Sequence, residues 1–285
     1  MTHTGTMNWS MYILLPAVFL LTSFQSSVVT PDSGILAVDP CENSNGVFQH
    51  GEKIVYKIYY NWNFIWIAAG EVVFEVKEDG DHYHISAEGR TFKSYDWVFK
   101  VRDTYDSFVE KETLLPERTI RKVEEGNYRL YDDVAYNHAE SLALSKKGKS
   151  KNDLSEESIL LEKCTHDILS SIYMMRNIDF QSMPKGSTLP LSIYLDRKIY
   201  DIDVVYAGIE QEKRVRGVGK CNTLLFKPKL VVGNIFKDNE GMNVWVSNDE
   251  NRIPLMIESP ISVGSVKVVL KSYKGLKYDP LFELP

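Results

Sequence analysis

The residues closest to a catalytic set lie in "CTHD", where Cys164, His166 and Asp167 fall within four positions. A cysteine nucleophile needs its base beside it in space, and neighbours at the start of a helix seldom point at each other. A disulfide or a small buried core residue is therefore the favoured interpretation of Cys164. The sequence has no nucleophile elbow, phosphate-binding loop, dinucleotide fingerprint or HExxH motif, which makes an enzyme the minority interpretation.

Two pairs of polar residues have the spacing of strand neighbours on one face. His82 and His84 could together hold a metal ion, but no third ligand is evident nearby, which favours a surface position on a hairpin arm. Asp201 and Asp203 could act as acid and base, but a solvated outer face is favoured because no cleft is indicated. The sequence therefore predicts neither a metal ion nor an organic cofactor.

Large aromatic residues near two predicted strands are the more informative candidates for binding. Each such ring buries on the order of 150–250 Å². Leaving several rings uncovered would forgo a large part of the free energy of apolar burial, so they must contact a helix, the leader or an apolar guest. Core packing is favoured over a pocket for a lipid or other apolar ligand. If Arg102 faces inward, it needs a carboxylate across the sheet, which is the favoured case, or an anionic ligand. The candidate ligand-binding residues are Trp62, Phe64, Trp66, Trp97, Phe99 and Arg102.

The stretch "NWNFIWIAAGEVVFEV" is apolar on both faces of the strand that it predicts. Alternation places Trp62, Phe64 and Trp66 on one face, expected to be concave, and Ile65 and Ile67 on the other, expected to be convex. We expect a helix to cover part of the concave face. The leader or the C-terminal "KYDPLFELP" should cover the convex face.

Strand-like segments make up most of the chain. Aromatic and β-branched residues recur at period two, as in "EKIVYKIYY", and turn signals such as Asp79-Gly80 separate the segments. The pattern predicts about a dozen strands. The fold class that follows is all-β, without clear internal repeats.

One segment, residues 165–180, has helical spacing instead. Its apolar residues recur at intervals of three and four, Thr165 is a candidate N-cap, and Asp167 follows in the first turn. A curved sheet of this size needs a plug to fill its interior. We therefore predict a large curved antiparallel sheet or open barrel wrapped around one central α-helix.

The N-terminus is typical of an export signal. Met11–Phe24 is apolar, too short to span a bilayer comfortably, and followed by small residues at Ser26 and Ser27. No Lys or Arg precedes Lys53, so the usual basic segment is missing, and a retained anchor is the alternative. The predicted organisation is a signal peptide at 1–27, a polar leader at 28–47 and a single all-β domain at 48–285. The predicted location is periplasmic or associated with the cell envelope.

The three cysteines permit one disulfide in an oxidising compartment, with three possible pairings. Cys164 with Cys221 is favoured because both lie beside predicted packed elements, which leaves Cys41 free or paired between chains. The net charge of −6 disfavours generic binding to nucleic acid or anionic lipid. We therefore expect no nucleic acid partner.

Several quoted stretches carry a resemblance to a known family. "FQHGEKIVYKIYYNWNFIWIAAGEVVFEV", "CTHDILSSIYMMRNIDF" and "VKVVLKSYKGLKYDP" resemble the exported envelope proteins called domain of unknown function 3108, and the likeness covers most of residues 48–280. The resemblance implies an all-β exported protein. It implies no mechanism, because the family has no assigned activity.

Three functions follow as expectations, in order. The first is a non-catalytic envelope protein that holds an apolar or lipid-like guest inside a curved sheet. The second is a structural or protein-interaction module with a filled interior and a partner in the envelope. The third is a hydrolase that acts on envelope polymers.

Overall fold

One sheet of fifteen strands dominates the computed structural model, which describes residues 41, 44–62, 65–229, 241–260 and 264–284. This count exceeds the predicted dozen. The strands are β1 Lys53–Trp62, β2 Ile65–Asp79, β3 His82–Thr91, β4 Arg102–Glu110, β5 Pro116–Glu125, β6 Tyr128–Asn137, β7 Leu142–Gly148, β8 Leu154–Leu160, β9 Thr165–His166, β10 Thr188–Leu195, β11 Lys198–Val215, β12 Gly219–Lys229, β13 Asn243–Ser247, β14 Pro254–Pro260 and β15 Ser265–Lys274.

The strand order is β8-β7-β6-β5-β4-β3-β2-β1-β15-β14-β13-β12-β11-β10-β9, so the first and last strands pair at its centre. Every ladder is antiparallel except the short one between β9 and β10. Successive strands from β1 to β8 and from β10 to β15 are antiparallel neighbours, as the turn signals in the sequence anticipate. The prediction of an all-β fold built on a large antiparallel sheet around one helix is confirmed.

The sheet is curved, so that side chains near its two edges contact each other. Asp196, in the β10–β11 turn, accepts hydrogen bonds from Arg121 on β5 (2.9 Å) and Lys147 on β7 (2.7 Å). Arg197, in the same turn, donates to Ser145 on β7 at 3.0 Å. Because side chains and not a backbone ladder join these ends, the sheet forms an open barrel.

Among the described residues the sole α-helix is α1, Ile168–Arg176, shorter than the predicted 165–180. Its N-cap is Asp167 and not Thr165, which lies in β9. Asp167 accepts from the backbone N–H of Leu169 at 2.7 Å, and the Ser170 hydroxyl accepts from that of Asp167 at 2.9 Å. This reciprocal capping box fixes the start of the helix. No described helix is long and apolar enough to cross a bilayer.

A β-bulge in β2 changes which side chains face inward. Ile58 on β1 lies opposite Gly70, but the next residue, Tyr59, lies opposite Ala68. Ala69 is therefore the extra residue, and from there toward Ile65 each side chain lies on the face opposite to simple alternation.

The predicted orientation of Trp66 is wrong for this reason. The Trp66 ring lies on the face of Tyr59, where the Lys267 ammonium stands 4.6 Å from its centroid. Val268, the next residue of β15, points to the concave face. Ile65 and Ile67 consequently lie on the concave side and not the convex side. Phe64 and the side chain of Trp62 lie outside the described residues.

The predicted disulfide pairing is also wrong. Cys41 is bonded to Cys164, with 5.0 Å between their Cα atoms, and Cys221 is a buried free thiol. The sequence-based preference treated Cys41 as part of a detached polar segment. The described residues that follow Cys41 instead pack on the body, since Gly46 donates to Asn177 at 2.7 Å and Phe48 is buried against Tyr173.

Candidate apolar binding site

An apolar cavity of about 240 Å³ lies between α1 and the concave face of the sheet. Its lining is almost entirely hydrocarbon, and both the helix and strands from the two halves of the chain contribute to it. Representative lining residues are Tyr56, Ile172, Val204, Phe226, Val244 and Ile257. The cavity exists because nine helical residues present too narrow a stripe to cover the inner face of so wide a sheet.

The size of the cavity limits what could occupy it. An engineered apolar cavity of roughly 150 Å³ binds benzene, whereas most pockets for drug-sized ligands have about 300 Å³ or more. At about 240 Å³ the cavity lies between these values. It suits one slender apolar chain better than a lipid with two.

A buried ion pair borders the cavity at the C-terminal end of α1. Arg176 donates to both carboxylate oxygens of Glu52, at 2.6 and 2.8 Å, and to the carbonyl of Asn251 at 3.1 Å. Burial would lower the pKa of Arg176, but the Glu52 carboxylate outweighs it and raises that pKa above its usual range. For the neutral tyrosines beside the pair, Tyr56 and Tyr173, burial raises the pKa because it disfavours the charged phenolate. Since Glu52 neutralises Arg176, the cavity is hydrophobic even next to a charge.

The predicted ligand-binding residues lie elsewhere. Trp97 is 84% exposed, in the loop between β3 and β4. Phe99 packs over the turn at Gly126, and Trp66 lies on the convex face. None of the predicted set with a described side chain lines the cavity.

Arg102 is paired with a carboxylate, but not one across the sheet. Its guanidinium donates to Asp96, six residues earlier, at 2.6 and 3.1 Å. Asp96 also accepts from the Thr91 hydroxyl at 2.7 Å. These bonds tie the loop between β3 and β4 to the adjoining strands.

The polar pairs of the sequence do not converge on the cavity. His82 contacts Glu117 at 2.6 Å and His84 contacts Asp106 at 2.8 Å. No group of three or more His, Cys, Asp or Glu side chains among the described residues could hold a metal ion. Asp203 pairs with Lys229 at 3.5 Å on the outer side, where Asp201 is exposed.

Residues 55–271 match the family described as "Protein of unknown function (DUF3108)". The chain belongs to this family. The resemblance noted in the sequence is thereby confirmed, and it carries no assigned activity. No curated protein matches the chain.

Solved structures add a likeness in fold. A "beta-barrel-like" protein of the unknown-function family DUF1849 from Brucella abortus superposes with a TM-score of 0.56 at 12% identity, over 82% of this chain and 100% of that one. A "putative exported protein with YmcC-like fold" from Bacteroides fragilis gives 0.29 at 11% identity, over 82% and 99%. A "putative lipoprotein" from Parabacteroides distasonis gives 0.30 at 11% identity, over 81% and 100%. Only the first likeness is close enough to show a shared fold.

Sequence reasoning missed the cavity lining and a buried acidic pair. Asp103 and Glu125 are buried on the concave side of β4 and β5. Burial and the nearby Glu125 carboxylate raise the pKa of Asp103 to about 7. The available signal was that Asp103 shares the face of Val101, which predicts an inward carboxylate.

Proposed function

We propose that this member of the family is an exported, non-catalytic protein that binds one apolar chain, such as a medium-length acyl chain, in the cavity beneath α1. The observation that carries the proposal is the cavity of about 240 Å³ that hydrocarbon side chains line. Empty apolar space costs stability, because its lining forgoes dispersion contacts that a guest would restore.

The charges around the cavity restrict the chemistry of the guest. Arg176 is already neutralised by Glu52, so an ionised head group would find no compensating charge there. Arg252, which also borders the cavity, donates to the carbonyl of Arg176 at 3.1 Å and is paired with the Asp179 carboxylate at 4.0 Å. The hydrocarbon part of the guest therefore enters, and any polar head stays at the opening.

Export is supported by two independent features. Met11–Phe24 is an apolar run followed by small residues, as in secretory signals. The bond between Cys41 and Cys164 is of a kind that persists outside the reducing cytosol.

The alternatives have less support. A module whose interior is filled by its own helix would leave no cavity of this size. A hydrolase would need acidic side chains that converge on a substrate-sized cleft. Asp103 and Glu125 are buried away from the cavity lining, and Asp132 and Asp167 line a cavity of only about 30 Å³.

A binding titration with a fluorescent acyl probe tests the proposal. Val244→Trp places a large ring in the cavity from a half-buried position on β13, and Val73→Trp is the matched control on the convex side of β2. We expect saturable binding that Val244→Trp abolishes and Val73→Trp preserves, with both variants folded by circular dichroism. Equal probe binding by the two variants, or none by the parent protein, contradicts the proposal. Native mass spectrometry of protein purified from its own envelope would identify the guest.

A further inference from the structure

The loop between β3 and β4, residues 92–100, carries the most exposed large apolar side chains near one end of the barrel. Trp97 is 84% exposed and its neighbour Val98 is 62% exposed. Ile65, at the first position of β2, lies toward the same end and is 64% exposed. An exposed tryptophan beside another exposed apolar residue marks a contact surface more often than an isolated apolar residue does.

This loop, called the Trp97 loop below, is held in shape from within. The N–H groups of Val98 and Phe99 both donate to the Tyr95 carbonyl, at 2.9 and 3.1 Å. Asp96 is bound to the Arg102 guanidinium and the Thr91 hydroxyl. The two apolar side chains are therefore presented to solvent by an ordered loop, so little conformational entropy remains to be lost on binding.

The Trp97 loop and the residues that flank it in sequence carry a net positive charge, opposite in sign to that of the whole chain. Residues 90–102 include four basic side chains and one acidic one, in a protein of net charge −6. The acidic one, Asp96, is paired with Arg102. Lys93 and Lys100 are exposed on either side of Trp97.

We propose that the Trp97 loop docks the protein on an anionic lipid bilayer, with Trp97 and Val98 in the interfacial layer and Lys93 and Lys100 at the lipid phosphates. Tryptophan is enriched at membrane interfaces, and nearby lysines add attraction to anionic lipid. One tryptophan and one valine are too small an area for a stable protein interface, which needs roughly 1,000 Å² or more. In a protein of net charge −6, this locally basic loop is a surface that an anionic membrane attracts.

The first test reads insertion at the loop itself, so a contribution from Met11–Phe24 does not obscure it. An environment-sensitive dye is attached to Val98→Cys, and to Leu160→Cys as a matched exposed site at the opposite end of the sheet. Cys221 is buried and does not compete for the label. With vesicles of mixed phosphatidylcholine and phosphatidylglycerol, we expect a blue shift and stronger emission at position 98 and no change at position 160.

The second test measures vesicle co-sedimentation of the full chain and its variants. Trp97→Ala should weaken binding by about tenfold, and Lys93→Gln and Lys100→Gln by about fivefold each on anionic vesicles. Leu160→Ala should have no effect. The proposal is overturned if the dye at position 98 does not respond to anionic vesicles. It is also overturned if Trp97→Ala instead changes the oligomeric state in sedimentation velocity. Failure of acyl-probe binding would leave this result intact, since the docking surface and the cavity share no residues.

Discussion

Glu52 and Arg176, which are 124 residues apart in the sequence, form a bidentate ion pair inside the barrel. Their side chains are 0% and 3% exposed. The pair joins the start of β1 to the end of α1, so it anchors the helix to the centre of the sheet.

Glu52→Gln is expected to lower the free energy of unfolding by about 3–5 kcal/mol, because Arg176 would remain buried without its counter-charge. The double variant Glu52→Leu with Arg176→Met should recover most of that loss, since an apolar pair needs no desolvation of charge. Urea denaturation measures both. Glu75→Gln is the control, because its partner Lys53 is largely solvated and such pairs contribute about 0–1 kcal/mol. An equal effect of Glu52→Gln and Glu75→Gln would contradict the anchoring role.

The contribution of Asp103 to stability should decrease as pH rises from about 4 through about 7. Burial and Glu125 raise the pKa of Asp103 to about 7 in the folded state. A raised pKa means that the folded state keeps the Asp103 proton to a higher pH than the unfolded chain does. This stabilisation is therefore complete at acid pH and lost above neutrality. Asp103→Asn should flatten that part of the profile, and Asp201→Asn, on the exposed face, should not. Thermal melts across pH compare them, and parallel profiles for Asp103→Asn and the parent protein would refute the assignment.

Loss of the disulfide should cost about 2–5 kcal/mol, because the bond closes a long loop in the unfolded chain. Cys41→Ser and Cys164→Ser should be equally destabilised, and reductant should lower the melting temperature of the parent but of neither variant. Cys221→Ala is the control and should remain sensitive to reductant. Peptide mapping without reduction that joined Cys221 to either cysteine would contradict the structure.

Gly70→Ala should destabilise by about 2–3 kcal/mol, since a methyl group there clashes with the Arg90 carbonyl at the β2 bulge. Gly89→Ala is a matched control on the neighbouring strand, where the nearest atom to a new Cβ is the Asp103 Cβ at 4.0 Å. Chemical denaturation distinguishes the two variants. Comparable stability of both would show that the bulge tolerates a side chain.

Trp66→Ala should reduce stability by about 2–4 kcal/mol and leave binding of the acyl probe unchanged. The ring packs on the convex face against Lys267, away from the cavity. The same titration used for Val244→Trp measures this. Weaker probe binding by a fully folded Trp66→Ala protein would place the ring at the binding site after all.

The element types could be read from the sequence because they depend on local periodicity. Alternation in segments such as "EKIVYKIYY" reflects the pleat of a strand, and the three-and-four spacing of Ile168, Leu169 and Ile172 reflects a helical turn. The ends of α1 were harder to predict. Thr165 and Asp167 are both good caps, and only the capping box with Ser170 decides between them.

Local periodicity is therefore enough to predict an all-β protein with one helix inside a large antiparallel sheet. Long-range packing sets which face each side chain occupies, which cysteines pair and where a cavity remains. One extra residue, Ala69, turns Trp66 to the convex face, and the adjacent Gly70 marks a bulge without specifying how the register shifts. The partner of Cys164 depends on where the leader packs, and the cavity depends on how much of the sheet α1 can cover. These features arise from contacts between residues far apart in the chain, whereas hydrophobic periodicity depends only on residues close together in the sequence.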